Sequence, residues 1–178
     1  ELILSFGQLA KRINQAANFF TAMGIGRGDT VLLFLRRRYE FWFVLPALHK
    51  IGAIAVPATV QLAAHDIEYR IQSAQIKMVM AVQEKQLQQE IQKAAYSKPL
   101  LVWVHDEMNG WISFDKLVKN MSEEFPPPAP ENYPCGTDTA LLYFTSGTSG
   151  NPKMVEHNFF YPLGHIVTAK FWQHVKDG

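Results

Sequence analysis

The chain is short of most features that assign a function through composition alone. It holds a single cysteine, Cys135, among 178 residues, which excludes an intrachain disulfide and suits a reducing compartment. A surplus of charge is also missing. Seventeen Lys and Arg stand against 16 Asp and Glu, a formal net charge of +1, so nothing in the balance draws the chain to nucleic acid or to an anionic membrane. The longest apolar run, residues 41–48, falls far short of the roughly 20 residues that span a bilayer, and a soluble protein is expected. No internal repeat is present, and biased composition is confined to the prolines of residues 126–130. The start, ELILSFGQLA, has no initiating Met and no basic segment ahead of an apolar stretch, so it does not read as a secretory signal. Both ends read as cut from a longer protein. What remains is 48% hydrophobic and 19% charged, an ordinary balance for one domain or slightly more.

Periodicity organises that material. Ser5 with Gln8 three residues on is a capping-box pattern, and Phe6, Leu9, Ile13, Ala16, Ala17 and Phe20 recur at helical spacing, which predicts a helix. Gly24, Gly26 and Gly28 end it. DTVLLFL follows as a continuous apolar run of the kind a strand covered on both faces requires. Further helices are predicted at 39–50, 65–74, 84–95 and 114–120, and further strands at 52–58, 77–82 and 100–104. Strand alternating with helix in this way predicts an α/β fold, a largely parallel sheet flanked by helices. Proline supplies no amide hydrogen and fixes φ, so residues 123–137 read as a linker. It separates an α/β subdomain, residues 1–122, from residues 138–178, read as a strand, a loop and a helix beginning near Val155.

The loop carries the chemistry. In YFTSGTSGNPK, an apolar strand runs into glycines and hydroxyls and ends on a cation. Successive backbone amides in such a loop form a concave anion site, with phosphate its natural guest. Gly147 and Gly150 allow close approach, Thr145, Ser146, Thr148 and Ser149 add hydroxyl donors, and Lys153 adds a point charge. A surface loop without a ligand has the same composition. The spacing excludes two other motifs. Lys153 is preceded by Pro152 and followed by Met154, which is not a Walker A loop. Ser149 has Gly147 before it but Asn151 after it, which is not a nucleophile elbow.

Beyond composition, LLYFTSGTSGNPKMVEH resembles the phosphate-binding signature of the adenylate-forming superfamily, which includes acyl-CoA synthetases, adenylation domains and luciferases. GIGRGDTVLLFL, EFWFVLPALHKIGAIAVPA and DIEYRIQSAQIKMVMA resemble its amino-terminal part in order and spacing, and PATVQLAAHDIEYRI looks most like the medium-chain acyl-CoA synthetase branch and its acetate relatives. The resemblance implies the amino-terminal part of the large domain of an AMP-forming acid-CoA ligase. That enzyme joins a fatty or other small carboxylic acid to AMP from Mg2+-ATP, then transfers the acyl group to coenzyme A. It implies that Thr145, Ser146, Gly147, Thr148, Ser149, Gly150, Asn151, Pro152 and Lys153 hold the β- and γ-phosphates, and that Gln61 lies near coenzyme A. No catalytic residue and no metal ligand is assigned. The acid pocket, adenine motifs, hinge and catalytic lysine of the superfamily lie beyond the phosphate loop, so these residues alone are expected to be inactive. An adenylation enzyme serving a carrier protein is the nearest rival, and a free-standing anion-binding domain the next. Bacterial cytoplasm is the expected compartment, with the mitochondrial matrix as the alternative.

Other residues attract weaker readings. The arginines at 36–38 end a strand where ligands gather, yet a solvated turn explains them and no role is assigned. His157 and His165 match no zinc spacing, and His157 reads as loop support. Cys135 reads as incidental. Arg27, Gly28 and Asp29 spell an adhesion tripeptide that the superfamily's Gly-Asp turn already explains. AAHD replaces the Ser or Thr usual before the third helix, so a weaker cap is expected there.

Overall fold

A computed structural model describes residues 3–94, 99–105, 108–146 and 150–175. Helix α1 (Phe6–Ala22) starts at the capping box. Ser5 Oγ accepts from the Gln8 amide at 3.3 Å, and Gln8 Oε1 accepts from the Ser5 amide at 2.9 Å. The chain continues through β1 (Thr30–Phe34), α2 (Phe41–Lys50), β2 (Ile54–Pro57), α3 (Ala64–Ser73), β3 (Met78–Val82), α4 (Lys85–Ala94) and β4 (Leu100–Val104). Residue 95, the end of the fourth expected helix, lies outside the described residues. A two-residue strand, β5 (Ile112–Ser113), leads into α5 (Phe114–Val118), whose N-cap Ser113 accepts from the Lys116 amide at 3.3 Å.

The sheet has seven strands in the order β5, β4, β3, β1, β2, then β6 (Thr139–Thr145) and β7 (Lys153–Asn158). Every neighbouring pair is parallel except the last, where β6 and β7 run antiparallel. Successive side chains alternate between two cores. Val31, Leu33, Met78 and Met80 join α1, α2 and α5 on one face, while Leu32, Phe34, Val79 and Ala81 join α3 and α4 on the other. Both faces are dry, which is why these strands read as unbroken apolar runs rather than as alternation.

One expectation is overturned. No helix begins near Val155; residues 153–158 form β7, paired in register Thr145 to Lys153, Tyr143 to Val155 and Leu141 to His157. Residues 154–158 offer fewer than two helical turns, whereas β6 presents an open edge with which each of them can pair. Helix α6 (Tyr161–Phe171) starts later, with Pro162 in its first turn, where a missing amide hydrogen costs nothing.

The proline-rich segment is strapped to α1. Asn14 Nδ2 donates to the Glu123 carbonyl at 2.8 Å, Asn18 Nδ2 to those of Ser122 and Glu124 at 2.9 Å, and Gln15 Nε2 to that of Met121 at 3.1 Å. The adhesion-like tripeptide is fully engaged in the fold. Arg27 grips the Asp138 carboxylate through Nε at 2.8 Å and Nη2 at 3.0 Å. Gly28 sits at φ +81° with its amide on the Gly52 carbonyl at 2.8 Å. A Cβ at Gly52 would meet Arg27 Cγ at 3.0 Å, so this turn needs its glycines.

His49, near the end of α2, lies edge-on to Phe159 with ring centres 5.4 Å apart. Burial pushes its imidazole below the ordinary 6.5, opposed by a backbone hydrogen bond to Ala140. The folded state therefore disfavours the proton that the unfolded chain accepts, and stability is lost as pH falls below about 6.5. The urea midpoint is expected to drop between about pH 7.5 and about pH 5.5, and to drop less in His49→Leu, because only the native histidine must stay neutral. Identical pH profiles for the two proteins would refute this.

Candidate functional site

In a sheet of this kind the carboxyl ends of the parallel strands share one edge, and ligands sit where successive connections leave toward opposite faces. The connection after β1 leads to α2 on one face, and the connection after β2 leads to α3 on the other. Between them lies a cleft of about 740 Å³, walled by residues 36–38 after β1 and 58–61 after β2. Strand β6 is the parallel neighbour of β2, so its loop opens on the same edge. Two strand spacings, about 10 Å, separate the ends of β1 and β6.

The loop is the tip of the β6–β7 hairpin. Thr145 closes β6, Lys153 opens β7, the two are register partners, and Thr145 Oγ1 donates to the Lys153 carbonyl at 3.4 Å. The lysine that sequence reading placed after the loop is thereby held at its root. Its ammonium is exposed and makes no hydrogen bond or ion pair with a described residue. Ser146 and Asn151 are exposed, and Gly150 adopts φ +105°, a conformation that a side chain would strain. Gly147, Thr148 and Ser149 lie outside the described residues.

Helix α3 buttresses this hairpin. The Tyr69 hydroxyl donates to the Pro152 carbonyl at 3.1 Å, and its ring meets Phe144 with centres 6.1 Å apart. The Arg70 guanidinium lies 4.9 Å above Phe144 and donates to the Asp66 carbonyl at 2.8 Å. Only 8% exposed, Arg70 has its pKa lowered by burial, against the charge of Asp66. The expected weak cap of α3 is real: Ala63 gives no side-chain cap. The fold compensates from a distance, because Glu90 Oε2 on α4 accepts the Ala64 amide at 2.8 Å.

Gln61 is exposed in the neighbouring cleft, its amide donating to Thr59 Oγ1 at 3.4 Å. Opposite it stand the arginines. Arg36 adopts φ +50°, in the left-handed region that costs a non-glycine residue about 1 kcal/mol, and its Nη2 pairs with Glu84 at 2.7 Å. Arg38 forks onto the fully buried Glu40 and also donates through Nη1 to His105 Nε2 at 3.0 Å. Arginine only donates, so Nε2 accepts and the imidazole proton sits on Nδ1, 3.9 Å from Asp115 Oδ2. Burial, and then the charge of Glu40, pushes the Asp115 carboxyl up. Arg37 pairs with no described residue. The sequence displayed the arginine run but not its partner wall, since residues 58–61 reach it only through the pairing of β1 with β2.

The remaining candidates fall elsewhere. Cys135 is exposed, with Sγ 3.6 Å from Arg27 Nη2. His157 lies between Tyr143 and Tyr161, ring centres 5.7 and 4.1 Å away, on the hairpin behind the loop. Among the described residues no three His, Cys, Asp or Glu side chains group to hold a metal, and no helix is long and apolar enough to cross a membrane.

Comparison with known proteins places this edge in context. The family model described as AMP-binding enzyme matches residues 2–177. The chain is 32% identical over 183 residues to the mitochondrial acyl-coenzyme A synthetase ACSM4 of Rattus norvegicus, covering 97% of this chain and 30% of that protein. It is 34% identical over 168 residues to the mitochondrial acyl-coenzyme A synthetase ACSM2B of Homo sapiens, covering 89% and 27%. The chain thus spans about 30% of the length of such relatives. Its fold matches a Brucella canis acyl-CoA synthetase with a TM-score of 0.85 at 22% identity, over 97% of this chain and 31% of that one. It also matches the anthranilate CoA ligase AuaEII, solved with anthranoyl-AMP, at 0.80 and 24%, over 95% and 32%.

Proposed function

Because the chain belongs to the AMP-binding enzyme family, we propose that it forms the amino-terminal part of the large domain of an acyl-CoA synthetase, an AMP-forming acid-thiol ligase. The observation that carries this reading is the glycine- and hydroxyl-rich sequence that follows β6 at the carboxyl edge of a largely parallel sheet, with Lys153, unpaired among the described residues, at the root of the hairpin. The names of the similar proteins support coenzyme A as acceptor over a carrier protein. They also support the mitochondrial matrix over the cytoplasm. The division at residues 123–137 belongs to the same proposal, with 1–122 the scaffold and 138–178 the segment that presents the phosphate loop.

In this reading the carboxylate of the acid attacks the α-phosphorus of ATP, pyrophosphate leaves, and the thiol of coenzyme A then takes the acyl group. The chain's own part is positioning and electrostatics. Thr145, Ser146, Gly147, Thr148, Ser149, Gly150, Asn151, Pro152 and Lys153 hold the leaving β- and γ-phosphates in line. Lys153 fits that task because its charge is not already committed to a described carboxylate. Gln61 faces the coenzyme. Magnesium would offset phosphate charge, and no residue of this chain is assigned to it.

Carboxylate-dependent ATP–pyrophosphate exchange in the longer protein tests the proposal, across short and medium acids and with or without coenzyme A. A charge-assisted hydrogen bond contributes about 1.5–3 kcal/mol, so Lys153→Ala is expected to weaken ATP binding about ten- to a hundred-fold. Exchange with thioester formed only when coenzyme A is added supports the ligase. Exchange without thioester would turn the reading toward carrier transfer, and no exchange with any acid would end it.

A further inference from the structure

We propose that the groove between α1, α2 and α5 is a second ligand site, one that takes a small apolar monocarboxylate, aromatic or short-chain, with Arg12 as its anion anchor. The proposal does not rest on the ligase reading. The groove shares no residue with the phosphate loop or with the cleft of Gln61, and α5 follows β5 at the rim of the sheet opposite β7.

Its volume of about 400 Å³ lies within the roughly 300–1,000 Å³ usual for small-molecule sites. One wall is a helical stripe, because Gln8, Lys11, Arg12 and Gln15 recur at three- and four-residue spacing and so share a face of α1. The other side is apolar. Phe43 of α2 and Phe114 of α5 lie beneath it, stacked at 16° with ring centres 6.2 Å apart, and Leu4 and Val118 extend the apolar lining.

Charge decides the guest. Of the cations on the lining, Lys11 is answered by Glu123 at 2.7 Å, and Lys119 stands near enough to Asp115 to favour its ionised form. Arg12 is left over. Half-buried, it makes no hydrogen bond or ion pair with a described residue, and its guanidinium lies 6.0 Å from the centre of the Phe43 ring. Its N–H donors are thus held beside an aromatic surface with no described acceptor, and the planar fork matches the two oxygens of a carboxylate. Three cations stand against two carboxylates on the lining, an excess of one charge that suits a monoanion, whereas Asp115 and Glu123 would repel a polyphosphate.

Calorimetric titration of the full chain with benzoate and hexanoate tests this, with benzamide and acetate as controls. Benzamide keeps the ring without the charge, and acetate keeps the charge without the apolar body. Millimolar binding of one or both acids is expected, with each control at least about ten-fold weaker. Arg12→Met keeps an apolar stem near Phe43 and is expected to weaken the acids about ten- to a hundred-fold, while Arg12→Lys keeps the charge and loses less. Val118→Phe fills the groove from α5 and should block the acids without altering a charge. Lys153→Ala, at the opposite rim, should change nothing. Melting curves check folding, and because Arg12 has no polar partner among the described residues its variants should melt as the unaltered chain does. With the fold intact, unchanged affinity in Arg12→Met, benzamide or acetate bound as tightly as the acids, or no saturable binding of either acid in the millimolar range would overturn the proposal. Binding lost in Lys153→Ala but kept in Arg12→Met would place the acid at the phosphate loop and overturn it equally. The titration needs neither ATP nor coenzyme A, so its failure leaves the ligase reading standing, and absent pyrophosphate exchange leaves this site standing.

Discussion

Phe114→Ala should cost about 3–5 kcal/mol of folding stability, the usual range for truncating a fully buried phenylalanine. Phe114 is 0% exposed and ties three helices together. Its ring meets Phe19 edge-on at 5.0 Å, stacks on Phe43 at 6.2 Å and lies 6.5 Å from Phe20, so α5 is held against both α1 and α2. The truncation removes apolar burial and leaves a cavity between rigid aromatic walls that cannot easily collapse. Equilibrium unfolding in urea measures it. A loss below about 1 kcal/mol would mean that the cluster repacks and that α5 is not anchored by this ring.

The second large effect lies at Glu40. This carboxylate is fully buried at the start of α2 and its partner Arg38 is itself two-thirds covered, with a side-chain exposure of 30%. Breaking one side of a buried pair leaves the other charge without compensation, which costs about 3–5 kcal/mol when both partners are dry. With Arg38 partly solvated, about 2–4 kcal/mol is expected for Glu40→Ala, and less for Glu40→Gln, which keeps an acceptor. The pair replaced together, Arg38→Leu with Glu40→Leu, should be less damaging than Glu40→Ala alone, because no orphaned charge remains. Additive costs in that double-mutant cycle would show that the two side chains do not act as a unit. The test also bears on the cleft: with Glu40 removed, the Arg38 guanidinium is released beside Arg37.

What the sequence displayed and what it hid follow from the range of the interactions involved. The capping box of Ser5 and Gln8 is local, and so are the apolar runs of β1 and β3, whose two-sided burial leaves no polar face to blur the pattern. Strand β5 has two residues, too few for any period. Strand β7 was lost for a different reason. Residues 154–158 have no long period of their own and become a strand only because β6 offers them an edge, which is a tertiary effect. The candidate loop stands out in the sequence because its residue types lie in consecutive positions, from Thr145 to Lys153. The crevice does not, since its two walls, 36–38 and 58–61, become neighbours only through the sheet order.

The hairpin that carries Lys153 sits at the rim of the sheet, and its outer strand has little inward-facing surface. Of residues 153–158 only His157 is partly covered, Met154 and Val155 are 44% and 38% exposed, and α6 behind them leaves Leu163, Ile166, Val167 and Phe171 in solvent. Pairing register is fixed most firmly where one face of a strand is buried. By that measure β7, which bears Lys153, is weakly indexed among the described strands, and a slip of a single residue would turn its ammonium to the opposite side. A cover over β7 and α6 would therefore do more than hide apolar surface: it would hold Lys153 in phase with Thr145, its register partner.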